Sequence, residues 1–240
     1  MREWLPLAPV ACALFANAIA MSVPMPIGPF LVLFFGVTND KRELGYTAGF
    51  FISSFMLGRM ISSYPLGLAS DIYGRRVVIQ LGLVSCFVFS LVFGMAPTFG
   101  IAILSRFLMG AFNGIIGVSK AVVPELVPPS HRARAMSAIT GMWGLGTIFG
   151  PALGGLLWIP GSPGTPSFWS SVVSAGIAML ALAAVALYMP DTRGRRAADA
   201  ASAQEATQIP GRQPPVQIPG RQPPVREGEG YGIELVRDEG

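Results

Sequence analysis

The sequence GLASDIYGRRVVI, residues 67–79, is a short charged segment between two long apolar stretches. Its pattern consists of Gly67, Asp71, Gly74, Arg75 and Arg76, after which aliphatic residues resume. Glycine lets a chain bend tightly, and arginines beside apolar helices tend to stay on the cytoplasmic side of a membrane. The segment therefore predicts a tight polar turn on one membrane face. A generic basic turn that only sets topology is the alternative, which the specific spacing disfavours.

The composition is unusual for a soluble protein. Of the 240 residues, 52% are hydrophobic and only 12% are charged, whereas soluble domains carry about 25% charged residues. Between Gly45 and Pro190 the only carboxylates are Asp71 and Glu125. The chain carries a net charge of +4, and its positive excess lies at the ends of apolar stretches. We interpret this excess as membrane topology and expect no nucleic-acid partner, because no basic stripe with interleaved aromatic residues is present.

Residues that commonly hold metals or catalyse reactions are scarce. The chain has one histidine, His131, and two cysteines, Cys12 and Cys86, which lie far apart in apolar stretches. We expect the cysteines to be small packing residues. The sequence thus predicts no metal site, no cofactor and no enzyme activity.

Six apolar stretches are long enough to cross a bilayer, which requires about 20 residues per helix. We predict these helices at residues 7–35, 45–66, 77–95, 101–123, 135–158 and 168–189. The first stretch contains Pro24, Pro26 and Pro29, so we expect it to be kinked or tilted. The sequence therefore predicts an all-α membrane protein with six transmembrane helices and the lipid bilayer as its surroundings.

An even number of spans places both termini on the same side of the membrane. If that side is the cytoplasm, only Lys41 and Arg42 lie outside. The cytoplasmic arginines are then Arg2, Arg75, Arg76, Arg132, Arg134, Arg193, Arg195 and Arg196. This imbalance follows the positive-inside rule. We therefore predict cytoplasmic termini, in either the plasma or the vacuolar membrane.

The chain from Asp191 onward has a different composition, rich in Pro, Gln, Gly, Arg and Ala. It contains the tandem repeat QIPGRQPPV at residues 208–216 and 217–225. Such a segment cannot bury a core, and its repeats favour polyproline structure. We expect residues 191–240 to form a disordered tail, and we favour an inert extension over a docking segment for a proline-binding domain.

The fourth span contains a charged residue, which is costly inside a membrane and usually faces protein or water. Arg106, Gly110 and Gly114 follow one another at intervals of four residues, which places them on one helical face. Glycines permit close helix contact, so Arg106 can point into the bundle. The alternative is that Arg106 extends toward the extracellular interface, since it lies only a turn or two into the helix.

Arg59 lies two-thirds of the way along the second span. Ser54, Gly58 and Ser62 share one helical face beside it, at intervals of four residues. Either this is a packing face on which Arg59 pairs with backbone, or Arg59 is a cation that lines a cavity.

Lys120 and Glu125 lie at the cytoplasmic end of the fourth span. They either form bridges to Arg75 or Arg76, or remain solvated, as charges at helix ends usually do.

The fifth span carries a glycine motif made of Ser137, Gly146, Gly150, Pro151, Gly154 and Gly155. The glycines at 146, 150 and 154 form one continuous groove along the helix. Pro151 removes the hydrogen bond to the carbonyl of Thr147, so we expect a kink. The alternative is a close-packing helix of the kind found in any membrane protein.

Together these motifs resemble the major facilitator superfamily. Residues 67–79 look like its loop between the second and third helices, and the Arg106 motif is similar to the buried-arginine motif of its antiporters. The fifth-span motif is similar to the antiporter motif of its proton-coupled drug exporters, with Ser137 where many members have glycine. Residues 42–59, Lys120 with Glu125, and residues 137–155 further resemble the zinc-induced facilitator-like transporters, and residues 189–194 resemble the close of the sixth helix.

The resemblance covers about residues 6–194 and implies both a fold and a function. It implies one six-helix half built from two inverted three-helix repeats, in a secondary transporter that alternates access between two halves. The first and fourth helices would line a cavity for a small molecule or ion, with protons as the coupling ion. The polar cavity residues expected from it are Asn17, Arg59, Asn113, Lys120 and Glu125. It also assigns Arg106 to proton coupling and Asp71 to a lock against a helix of the other half.

Two features of the facilitator-like family are missing from this sequence: an N-terminal Cys-Pro-Gly-Cys box and a second six-helix half. We therefore expect a half-transporter that is inactive alone or active as a homodimer. The alternative is a non-transporting half that regulates, or assembles with, a full-length relative. Because no carboxylate lies in mid-membrane, a proton site would have to use Asp71 or Glu125, or belong to the missing half.

Overall fold

The structure is a computed structural model that describes residues 7–38, 40–159 and 165–189. Its helices are α1 (Ala8–Ser22), α2 (Pro24–Phe34), α3 (Lys41–Tyr73), α4 (Arg75–Gly94), α5 (Phe99–Ala111), α6 (Ile115–Leu126), α7 (Arg132–Leu156) and α8 (Phe168–Tyr188). They form six segments, because α1 with α2 and α5 with α6 each make one interrupted span. The predicted all-α membrane fold is confirmed. The predicted tail at 191–240 and its repeats lie outside the described residues, as do four of the arginines predicted to be cytoplasmic, Arg2, Arg193, Arg195 and Arg196.

Four segments within the described ranges are long and apolar enough to cross a membrane. They are Ala8–Phe34, Arg75–Gly94, Phe99–Leu126 and Phe168–Tyr188. The other two predicted spans, 45–66 and 135–158, fall on α3 and α7, which have sufficient length but do not reach the same apolar content. The reason is their composition, since α3 carries Arg59 among several serines and α7 is rich in glycine.

Proline divides the first span into two helices. α1 ends at Ser22 and α2 begins at Pro24, with Val23 between them still in helical conformation. Pro24 has no N–H and cannot donate to the carbonyl of Ala20, one turn earlier. The interruption is therefore a gap in the hydrogen-bond ladder between α1 and α2.

The predicted fourth helix, 101–123, is interrupted as well. α5 ends at Ala111 and α6 starts at Ile115, so Gly114 precedes α6 and does not continue the face of Arg106 and Gly110. A Cβ on Gly114 would lie 3.2 Å from Leu66 Cβ and 3.0 Å from Val78 Cγ1, so this glycine packs near the junction of α3 and α4.

The charged segment 67–79 is mostly helical, which differs from the predicted polar turn. α3 continues to Tyr73, seven residues beyond the expected end at Leu66, and α4 begins at Arg75. The turn is therefore a single residue, Gly74, with φ of +96°. Only glycine adopts this backbone conformation readily, so one residue sets the reversal between two long helices.

The largest helix interfaces join α1 with α7, α3 with α5, and α4 with α8. In terms of segments, the first packs on the fifth, the second on the fourth, and the third on the sixth. If the first, second and third segments are exchanged with the fourth, fifth and sixth, the first–fifth and second–fourth interfaces replace each other. The third–sixth interface remains the same. Such a pattern is expected of two three-helix repeats of inverted topology.

Candidate functional site

A cavity of about 360 Å³ lies between α1, α3, α6 and α7. It is lined by Leu14, Met21, Met56, Arg59, Ile116, Lys120, Ile139, Thr140 and Trp143. The four helices belong to the first, second, fourth and fifth segments, which the repeat exchanges in pairs. The cavity therefore lies where the two repeats face each other, and the expectation that the first and fourth segments line it agrees with its lining.

Arg59 is half-buried and lines this cavity and a second one of about 340 Å³. Within the described part of the chain, its guanidinium has neither a hydrogen-bond acceptor nor an ion-pair partner. The geometry thus matches the cavity-lining interpretation of Arg59 and not the backbone-paired one. Lys120 is exposed and lines the first cavity only.

The helical face beside Arg59 is a packing face, as its serine and glycine spacing indicates. A Cβ on Gly58 would overlap the carbonyl oxygen of Phe107, and a Cβ on Gly110 would overlap that of Phe55. Ser62 Oγ lies 3.5 Å from the carbonyl oxygen of Gly110 and donates to it. α3 and α5 therefore cross in direct backbone contact, which fixes the position from which Arg59 enters the cavity.

Asn17 and Asn113 form a buried polar contact across the bundle. Asn113 Nδ2 donates to Asn17 Oδ1 at 2.5 Å and lies 3.5 Å from the Cys86 sulfur. Asn113 is in the gap between α5 and α6, and it also lines the second cavity. Asn17 is 1% exposed and is absent from the lining of both cavities, so it connects α1 to the fourth segment instead of facing the first cavity.

Arg106 points into the bundle and is 3% exposed, which excludes the extended orientation toward the interface. Its Nη1 donates to the Ala20 carbonyl at 2.8 Å, and its guanidinium carbon lies 3.8 Å from the ring centre of Phe93. Its Nε has no acceptor among the described residues. A buried cation here is held by a carbonyl dipole and an aromatic face.

Arg75 connects three helices at the end of the bundle that carries the charged segment. It forms ion pairs with Asp71 at 2.9 Å and with Glu125 at 3.3 Å, and its Nη1 donates to Ser70 Oγ at 2.5 Å. The neighbouring Arg76 donates to the Ala186 carbonyl. The bridge between the fourth segment and Arg75 is therefore present, and it is made by Glu125.

The glycine groove of α7 packs against α1. A Cβ on Gly146 would lie 2.6 Å from Ala18 Cβ, a Cβ on Gly150 would overlap Ser22 Oγ, and a Cβ on Gly154 would overlap the Val23 carbonyl oxygen. The helix remains continuous through Pro151. These three glycines make the α1–α7 interface a second crossing in backbone contact.

The other members of the α7 motif lie outside this interface. Gly155 is exposed and has nothing within 4 Å of an added Cβ. Ser137 is exposed and donates to the Ala133 carbonyl at 3.0 Å. The sequence pattern thus combines one set of packing residues with two residues on other faces of the helix.

Trp143 is a lining residue that the sequence analysis missed. Its Nε1 is buried and has no hydrogen-bond acceptor among the described residues. Trp143 lies three residues before Gly146, on the same face of α7 as the glycine groove. Extending that face toward the N-terminus by one turn would have identified Trp143, and by two turns Ile139.

A family model and the curated relatives point to the same family. The family described as the Major Facilitator Superfamily matches residues 10–229. Protein ZINC INDUCED FACILITATOR 1 of Arabidopsis thaliana is 42% identical over 152 residues, covering 61% of this chain and 31% of its own length. The Major facilitator superfamily multidrug transporter mfsB of Aspergillus fumigatus is 38% identical over 140 residues, covering 57% of this chain and 23% of its own length. The chain thus spans less than a third of the length of these curated relatives.

Two solved structures share the fold. The human organic anion transporter MFSD10 (TETRAN) superposes with a TM-score of 0.66 at 22% identity, covering 80% of this chain and 49% of that protein. A D-xylose-proton symporter superposes with a TM-score of 0.62 at 16% identity, covering 86% of this chain and 52% of that protein. In both, this chain corresponds to about half of the solved structure.

Proposed function

Because the chain belongs to the major facilitator superfamily, a family of membrane transporters, we propose that its first cavity, lined by Arg59 and Lys120, binds the solute of a proton-coupled secondary transporter of antiporter type. The single observation that carries this proposal is the position of the cavity. It opens between the four segments that the inverted repeat exchanges, which is where alternating access requires a solute to bind. Arg59 and Lys120 are the residues we assign to the solute.

We assign the two asparagines to the framework of this site. Asn17 and Asn113 hold α1 against the gap in the fourth segment, so a change at that gap would act on α1 and α6, two of the four helices that border the cavity. The hydrogen bond from Asn113 Nδ2 to Asn17 Oδ1 joins the two helices directly, while Asn113 Oδ1 has no donor among the described residues.

Coupling to protons is proposed at the Arg75 network. Asp71 and Glu125 are the carboxylates of the described membrane body beyond Gly45, and both bind Arg75. Adding a proton to either carboxylate removes one of the two charge-assisted bonds that join α3, α4 and α6. We propose that proton uptake loosens these helix ends and that Arg106, bound to α1, transmits the change to the first segment.

A complete transporter of this family alternates access between two such halves. We propose that a second copy of this chain, or a full-length relative, supplies the facing half. We propose that both termini are cytoplasmic, because the arginines at the ends of the helices are concentrated on that side. The alternative that we keep is a regulatory half that pairs with a full-length relative without transporting.

The test is reconstitution of the chain in liposomes that contain a pH-sensitive dye. We expect solutes added outside to drive proton movement, and we expect Arg106→Gln to abolish it while Arg134→Gln, an exposed arginine at the start of α7, leaves it unchanged. If no solute moves protons under any gradient, autonomous transport is wrong. Co-reconstitution with a full-length relative then separates the two candidates, because a regulatory half would change the rate of that relative.

A further inference from the structure

The polar groups that line the first cavity, between α1, α3, α6 and α7, are hydrogen-bond donors. Arg59 and Lys120 contribute positive charge, Trp143 contributes an indole N–H, and Thr140 contributes a hydroxyl. None of the described residues that line the cavity is a carboxylate. Asp71 and Glu125, which lie further along α3 and α6, are both bound to Arg75.

Two of these donors lack an acceptor within the described part of the chain. The buried Nε1 of Trp143 has none, and the half-buried guanidinium of Arg59 has none either. Buried donors in folded proteins are almost always paired, so each exception requires an explanation. A carboxylate bound in the cavity would supply an acceptor for the guanidinium of Arg59.

The rest of the lining is apolar and adaptable. Met21 and Met56 contribute flexible thioether side chains, and aliphatic residues complete the wall. Methionine fits ligands of varied shape. A volume of about 360 Å³ is within the range in which small ligands are bound.

From this juxtaposition we infer that the cavity binds an organic anion: a carboxylate held between Arg59 and Lys120, with an apolar body against Trp143 and the two methionines. This inference rests on the proposed function, since it names the solute class of the same cavity. Guanidinium is the side chain best matched to a carboxylate, because its planar donors bind both oxygens. A cationic solute would instead face two like charges in a partly desolvated site, which costs free energy.

The test uses three probes with the same aromatic body and different charge: 2-naphthoate, 2-naphthamide and 2-naphthylmethylammonium. Binding to the full chain in lipid nanodiscs is measured by calorimetry. We expect naphthoate to bind at least about tenfold more tightly than the amide, the size of effect expected for a charge-assisted hydrogen bond. The ammonium probe should not bind detectably.

Variants locate the binding site. Arg59→Gln and Lys120→Gln should each weaken naphthoate binding by about tenfold or more, whereas Arg134→Gln, which removes an exposed arginine outside the cavity, should not. Arg59→Lys keeps the charge and should recover part of the affinity. Size-exclusion elution and circular dichroism confirm that each variant is folded before it is scored.

Three results would overturn the inference: equal or tighter binding of the amide or the ammonium probe, naphthoate binding that survives both glutamine variants, or no naphthoate binding by the folded chain. The proposed function fails separately. If naphthoate binds as expected but no solute moves protons in liposomes, the anion site stands and proton-coupled transport does not. If proton-coupled transport is restricted to neutral or cationic solutes, transport stands and the anion site is wrong.

Discussion

Arg106 donates its hydrogen bond to the carbonyl of Ala20, the carbonyl that Pro24 leaves without a helical donor. The proline and the arginine are far apart in sequence and meet at one atom in the structure. The interruption of the first span and the burial of a cation in the fourth segment are therefore one feature. Each residue supplies what the other requires, since the arginine needs an acceptor and the carbonyl needs a donor.

This relationship predicts that the two residues are energetically coupled. Arg106→Gln should cost about 1–3 kcal/mol, because it leaves a buried carbonyl unpaired. In a Pro24→Ala background the helix can supply its own N–H to Ala20, so the same substitution should cost about 1 kcal/mol less. A double-mutant cycle on unfolding in mixed micelles measures the difference. Pro26→Ala provides the control, because Pro26 frees the carbonyl of Ser22, which Arg106 does not contact; coupling of equal size there would contradict the interpretation.

The glycine groove of α7 predicts a sharp contrast between two adjacent residues. Gly154→Ala should destabilise the protein by about 1–3 kcal/mol, because the added methyl overlaps a backbone oxygen of Val23 that cannot rotate away. Gly155→Ala should be neutral or stabilising by up to about 1 kcal/mol, because nothing lies within 4 Å of its added Cβ and alanine favours helix. Thermal unfolding of both variants in the same nanodiscs measures the contrast, and equal stability would show that α1 and α7 are not in backbone contact.

The Arg75 network predicts that its two acidic partners contribute unequally. The Glu125 side chain is 17% exposed, whereas that of Asp71 is 51% exposed. Glu125→Gln should cost about 1–3 kcal/mol, since a less exposed charge loses its partner, while Asp71→Asn should cost about 0–1 kcal/mol. Unfolding at low and high salt measures both effects, and only the Asp71 contribution should fall strongly with salt. A larger loss at Asp71 would contradict this ranking.

The reversal between α3 and α4 predicts a backbone effect at one glycine. Gly74→Ala forces a side chain into positive φ and should cost about 1–3 kcal/mol. Gly67→Ala, seven residues earlier within α3, meets nothing within 4 Å and should not destabilise the protein. Comparison of the two variants by thermal unfolding separates backbone conformation from the loss of a glycine. Equal losses of stability in the two variants would mean that the positive φ of Gly74 is not the cause of the effect.

The sequence was sufficient for the fold class, because apolar length and charge position are local properties that survive in any arrangement of the helices. The inward orientation of Arg106 was one of the two alternatives that the sequence left open, because the glycine spacing of the motif permits close approach of another helix. The sequence could not place the end of α3 at Tyr73, because a charged stretch at a helix end looks like a loop in hydropathy. Nor could it locate the gap at residues 112–114, where no proline marks the interruption.

The cavity was predicted in part for a similar reason. Arg59 and Lys120 stand out in an apolar sequence because charge is rare there, and both line the cavity. Trp143 and the two methionines are ordinary apolar residues of a membrane helix until their neighbours on other helices are known. Asn17 was expected in the cavity because it is polar, whereas the partner that buries it, Asn113, comes from a distant segment.

The two backbone-contact crossings, α1 with α7 and α3 with α5, have a mechanical consequence. At each crossing a glycine of one helix lies against a backbone carbonyl of the other. One helix of the pair therefore cannot slide along its partner without steric overlap. The α1–α7 pair and the α3–α5 pair therefore each behave as one stiff unit, whereas α6 is joined to α5 only through residues 112–114. Trp143 lies on the first unit and Arg59 on the second, so a tilt of one unit against the other changes the distance between these two side chains across the cavity.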